Sequence, residues 1–273
     1  MMPNLRISYP DIPARCLRVY SNGDDTWEED LNILNSRSGA RGARSRLLDD
    51  SLTSVVIDYD MGNGNTATCD HLIISNASTM YDDVEGTVTD IEVFGDSSDT
   101  FGSAITPTPD VSSLYGPDSA DYIQTFTETA ARRFWRVEIT KPALNLVNCG
   151  KIYLGKFFDF GIDLSGYSID YADRPPYTSR ADAGTIIIGR RERSRYGINL
   201  RWENVTDAKA IEFSDSILAI QHKHRGVFLY TDAVNEVLDG HRIIHGDIVR
   251  PRIVAQGDPD SNVIQMTIEE WDG

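Results

Sequence analysis

The strictest constraint in this chain is a period of two. Ile91 and Val93 alternate with Asp90 and Glu92, and farther on Trp135, Val137 and Ile139 alternate with Arg136 and Glu138. Successive side chains of a strand point to opposite faces, so such segments bury one face and wet the other. Further strand-like segments at 54–60, 71–76 and 151–155 accompany them, separated by turn clusters such as Met61-Gly-Asn-Gly-Asn-Thr66, whose Gly and Asn tolerate positive φ. This order predicts a β-sandwich or jelly roll for the first half of the chain. That architecture serves binding and assembly more often than catalysis.

The 273 residues suffice for one large or two ordinary domains, and 40% hydrophobic content is enough for a core. No apolar run approaches the ~18–20 residues that would cross a bilayer, so no membrane insertion is expected. Met1-Met-Pro-Asn-Leu-Arg-Ile7 lacks the apolar stretch of a secretion signal, and synthesis in a cytoplasm is expected. Cys16, Cys69 and Cys149 are odd in number and widely spaced, matching neither a zinc pattern nor a disulfide framework.

The net charge is -16 and unevenly spread: no Lys or Arg lies between Arg46 and Arg132, an interval with sixteen Asp or Glu. Such a surface repels polyanions, which argues against specific nucleic-acid binding by the first half. The segment 36–46 is a basic Gly/Ser/Ala stretch without apolar period and reads as a loop, as does the polar, proline-bearing stretch 104–120.

The second half, 161–273, reads as a β-rich α+β domain with one helix over about 206–225. Thr206 is a good N-cap, Ile211, Phe213, Ile217, Leu218 and Ile220 form the apolar stripe, and Gly226 supplies the stop. Long strands are expected on both sides, ending in the alternating segment 262–271.

Several runs in the first half resemble discoidin-type (galactose-binding-like) jelly rolls. They are Ile57-Asp-Tyr59, His71-Leu-Ile-Ile-Ser75, Ile91-Glu-Val-Phe-Gly-Asp-Ser-Ser-Asp-Thr-Phe101, Ala131-Arg-Arg-Phe-Trp-Arg-Val-Glu-Ile139 and Gly150-Lys-Ile-Tyr-Leu-Gly155. The turn Asp96-Ser-Ser-Asp-Thr100 departs from the family, where a glycine is usual. The resemblance covers about 50–160 and implies a discoidin-like domain over 1–160. The layout of long strands with one helix is similar to the tail-tube-like domains of bacteriophage tail proteins. The pair of resemblances implies a mainly β, non-enzymatic virion structural protein of the distal-tail or baseplate type, a homo-oligomeric ring in the tail tip that contacts other phage tail proteins or host surface carbohydrate. The alternative is a carbohydrate-binding module of a cell-surface protein.

Ligand candidates follow from residue type. Trp27 and Tyr81, with Tyr115 and Tyr122, stand in polar, loop-like context and offer rings on which sugars stack. Asp82, Asp83, Asp96 and Asp99 are loop carboxylates of the kind that bind calcium, against the plainer reading of solvated loops. Arg190, Arg191, Arg193 and Arg195 form the densest positive patch, a candidate subunit interface because the chain carries its own acidic surface. His241 and His245, four apart, are the candidate for a catalytic metal, against ordinary surface histidines. No nucleophile elbow or phosphate loop is present.

Overall fold

A computed structural model describes residues 5–9, 11–21, 45–47, 53–74, 90–115, 121–140, 147–149, 152–172, 178–180, 186–188, 195–219, 227–231, 243–256 and 261–270. The chain is mainly β, and the expected sandwich is present. Its front sheet has the strands Arg18–Ser21, Ser54–Asp60, Phe134–Thr140 and Asp90–Asp96 side by side, all antiparallel. Its back sheet has Ile152–Gly155, His71–Ile74, Asp121–Phe126 and Pro109–Tyr115 in that order.

The period of two dictates how the sheets meet. Val55, Ile57, Tyr59, Ile91, Val93, Trp135, Val137 and Ile139 point inward from the front sheet, against Leu72, Ile74, Tyr122, Phe126, Ile152 and Leu154 of the back sheet. The short helix Asp11–Arg15 closes one side with Ile12 and Cys16. Gly95 is required where it stands, because a Cβ there would lie 2.9 Å from the Trp135 ring. The back sheet is buried on its second face too: Ile73, Ile123, Tyr153 and Phe157 form a separate cluster. That is why 72–74 and 152–154 are unbroken apolar runs rather than alternating ones.

The stretch 104–120 is not loop throughout. Pro109–Tyr115 is a strand at the edge of the back sheet, paired with Asp121–Phe126. An edge strand tolerates both its serines and a proline at its first residue. Tyr122 is consequently a core residue rather than an exposed ring.

The second unit is a seven-stranded antiparallel sheet in the order Phe158–Asp159, Leu5–Ser8, Val227–Thr231, Ile243–Ala255, Asn262–Glu270, Arg195–Val205, Gly166–Ala172. The strand Leu5–Ser8 sits between Phe158–Asp159 and Val227–Thr231. A boundary at 160 therefore cuts across this sheet, and the sandwich is inserted between two of its strands. Two bulges bend the sheet, one carrying Asn204 (φ 62°) and one carrying Arg250 (φ 53°).

The helix begins where expected. The Thr206 hydroxyl accepts the Lys209 N–H at 3.3 Å, and Asn262 Nδ2 donates to Asp207 at 2.7 Å, pinning the first turn to the sheet. It runs through Asp207–Glu212 and a π-helical turn, Phe213–Leu218. The wider turn shifts the buried stripe. Ala210, Phe213 and Ile217 face the core, Leu218 is half-buried, and Ile211 is 61% exposed rather than part of the stripe. Phe213 packs with Phe158 and Phe160 at ring separations of 5.7 and 5.4 Å, and Phe160 in turn meets Trp202 at 4.4 Å. Ile220 and the expected stop at Gly226 lie outside the described residues. None of the described helices is long and apolar enough to cross a membrane.

Candidate functional site

The outer face of the front sheet carries an ordered row of side chains. Register aligns Tyr20, Asp58, Arg136 and Phe94 across its four strands. Arg136 grips Asp58 with both arms of its fork, Nε to Oδ1 at 2.7 Å and Nη2 to Oδ2 at 2.8 Å. This bidentate geometry fixes both planes, and the Asp58 hydrogen bond raises the guanidinium's pKa. The pair is still reachable from solvent, with the two side chains 27% and 24% exposed. The Tyr20 ring beside it is 44% exposed. Phe101 lies over the Arg136 guanidinium at 4.1 Å.

The next rows differ in chemistry. At one end of the sheet Arg133 holds the buried Asp60 through Nε at 2.8 Å and Nη2 at 3.1 Å, while Gly62 N–H donates to the same carboxylate at 2.8 Å. The Arg133 hydrogen bond, first of these, keeps Asp60 below the usual carboxylate range. On the other side of the Asp58–Arg136 row, Glu92 stands opposite Glu138, which accepts the Ser54 hydroxyl at 2.5 Å. Burial, then Asp90 and Glu138, push the Glu92 pKa up.

Asp96 and Asp99 belong to the loop that carries Phe101. Asp96 is a loop anchor: Oδ1 accepts Ser97 N–H and Ser98 N–H, and Oδ2 accepts Ser103 N–H at 3.0 Å. Those donors, Ser103 first, lower its pKa. Its oxygens are turned to the loop backbone, and Asp99 is exposed. Among the described residues no three His, Cys, Asp or Glu side chains converge as a metal site. Trp27, Tyr81, Asp82 and Asp83 lie outside the described residues. Asp90 and Asp96 stand at opposite ends of one seven-residue strand, about 20 Å apart. Arg190, Arg191 and Arg193 also lie outside the described residues, and Arg195 begins a long strand. His245 sits in a strand opposite Phe228, while His241 lies outside the described residues.

One constellation has no signal in the sequence, because its members are 63 residues apart. Ser8 Oγ is 2.6 Å from His71 Nε2, and His71 Nδ1 is 2.7 Å from Asp70 Oδ1. These are the separations of a nucleophile, its base and an orienting acid. Ser8 and His71 are, however, fully buried, the imidazole is stacked on Phe157 at 3.8 Å, and Asp70 also accepts Phe157 N–H. With no approach for a substrate, the relay acts as a joint that ties the strand Leu5–Ser8 of the seven-stranded sheet to the sandwich.

No family model matches the chain, and no curated protein does. Among solved structures it is similar to the CBM32-1 module of a family 31 glycoside hydrolase from Clostridium perfringens, at 15% identity and TM-score 0.35 over 54% of this chain and 99% of that one. It is similar to a GH29 fucosidase from Ruminococcus gnavus in complex with fucose, at 12% identity and TM-score 0.37 over 55% of this chain. The match spans only 27% of that fucosidase. A fucolectin from striped bass serum (Morone saxatilis) gives 10% identity and TM-score 0.37 over 60% of this chain and 55% of the lectin. At these scores the function has to be argued from this chain's own residues.

Proposed function

We propose that the chain is a non-enzymatic glycan-binding protein, with the sandwich as the binding module and the seven-stranded unit as its carrier. The observation that carries this reading is the exposed Tyr20 ring next to the solvent-reachable Asp58–Arg136 pair. A pyranose offers a C–H face and a rim of hydroxyls. The ring takes the first, and a neighbouring acceptor and donor take the second. The bidentate pair is ordered before any ligand arrives, so little side-chain freedom is lost on binding. The test is the full chain applied to immobilised mono- and oligosaccharides. Retention on a defined subset, competed by the free sugar, is the expected result; no retention on any of them would remove the reading.

A second reading, a ring-forming part of a phage tail tip, is favoured by the layout of the other unit. Its strands of 11, 13 and 9 residues lie in one sheet, and among the described residues of this unit a single helical segment, beginning at Asp207, accompanies them. Light scattering at low and high salt separates the two. A salt-sensitive discrete multimer supports the ring, and a salt-indifferent monomer supports a free binding module.

A further inference from the structure

Phe101 combines two unusual properties. Its backbone has φ 52°, in the left-handed region that a bulky residue avoids, and its ring covers one side of the Arg136 guanidinium. Strain of this kind persists only when the surroundings over-determine it, and it concentrates at ligand sites. Here the over-determination is visible. Asp96 ties both sides of the loop through Ser97, Ser98 and Ser103 N–H, Phe101 N–H donates to Ser98 O at 3.3 Å, and Gly95 and Ile105 exchange backbone hydrogen bonds at the loop's base.

The consequence falls on Arg136. Asp58 takes Nε and Nη2 and Phe101 takes one face of the plane, so Nη1 is the arm with no partner among the described residues. It stands in the same row as the Asp58 carboxylate, whose oxygens each accept one hydrogen bond and keep further lone pairs. A fixed donor next to a fixed acceptor matches two adjacent hydroxyls of one sugar. The next row, Glu138 and Glu92, places carboxylates where an acidic sugar would meet like charge.

Resting on the glycan-binding reading, we infer that Phe101 is a positioning residue whose strained backbone sets Arg136 and Asp58 to read a vicinal hydroxyl pair on a neutral sugar. The test uses the full chain and immobilised galactose, glucose, mannose and fucose beside glucuronic and sialic acids, with thermal unfolding measured in parallel. Wild type is expected to retain neutral sugars only. Phe101→Gly relieves the backbone while removing the ring; it should keep or raise the unfolding midpoint and still weaken binding about tenfold. Phe101→Leu should weaken binding similarly, and Phe101→Tyr should restore it. A purely structural Phe101 would instead lose midpoint with the glycine and keep its affinity. Wild-type affinity in Phe101→Gly, alongside loss in Tyr20→Ala, would overturn the role of Phe101 and leave the glycan reading standing. Preference of the wild type for an acidic sugar would overturn the neutral-sugar inference. Absence of wild-type binding to every sugar would overturn both.

Discussion

The two sheets of the sandwich are built from strands of similar length and opposite logic. The back sheet is buried on both faces, so Leu72, Ile73 and Ile74 are all at 0% exposure. The front sheet buries Val55, Ile57 and Tyr59 and turns Val56 and Asp58 outward. A sheet covered on both sides has nothing left to present, whereas a sheet with one wet face can order polar groups on a rigid frame. The difference tells where to look for recognition: on the outward residues of the front sheet.

The largest effects should follow burial, not strand identity. Trp135→Ala, on the inward side of a front strand, should cost about 4 kcal/mol, and Ile73→Ala on the second face of the back sheet about 3 kcal/mol. Val56→Ala, outward on the front sheet, should cost about 1 kcal/mol or less. Urea unfolding of the three variants ranks them, and equal losses for Ile73 and Val56 would erase the contrast between the sheets. Next comes Gly95→Ala, whose new methyl meets the Trp135 ring at 2.9 Å and should cost about 1–3 kcal/mol, read in the same assay.

Smaller effects follow from the carboxylates of the front sheet. Asp60 and Asp96 are held low by Arg133 and by Ser103 N–H. A depressed folded pKa gives stability that is present above the unfolded value and lost as pH falls through the folded one. Glu92, raised by burial, has the opposite sign: its charge costs stability at neutral pH, and protonation relieves that cost as pH falls through its raised pKa. Asp96→Asn should therefore lower the neutral-pH melting midpoint and flatten its acid decline, while Glu92→Gln should raise the midpoint. Melting curves from about pH 7 to about pH 3 check both signs.

These contrasts also mark what was legible beforehand. The alternation around Ile91 and Trp135 is a local signal, and it gave the sandwich and its inward set correctly. Thr206 as a cap is equally local. The strand Pro109–Tyr115 escaped because an edge strand has no need of an apolar face. The place of Leu5–Ser8 beside Val227–Thr231 escaped because pairing across more than two hundred residues leaves no trace in a window. The same holds for the site. Asp58 and Arg136 are 78 residues apart, and only strand register makes them neighbours of Tyr20. Of the aromatic residues in polar context, Tyr122 is core, while Tyr20, inside a strand, carries an exposed ring.

The most direct test of the claim that the wet face of the front sheet is the ligand face compares Tyr20→Ala with Tyr81→Ala in binding to the sugar that the wild type retains, with unfolding midpoints measured alongside. The account predicts that Tyr20→Ala loses binding at an unchanged midpoint while Tyr81→Ala keeps it. Binding that survives Tyr20→Ala and fails with Tyr81→Ala would contradict it.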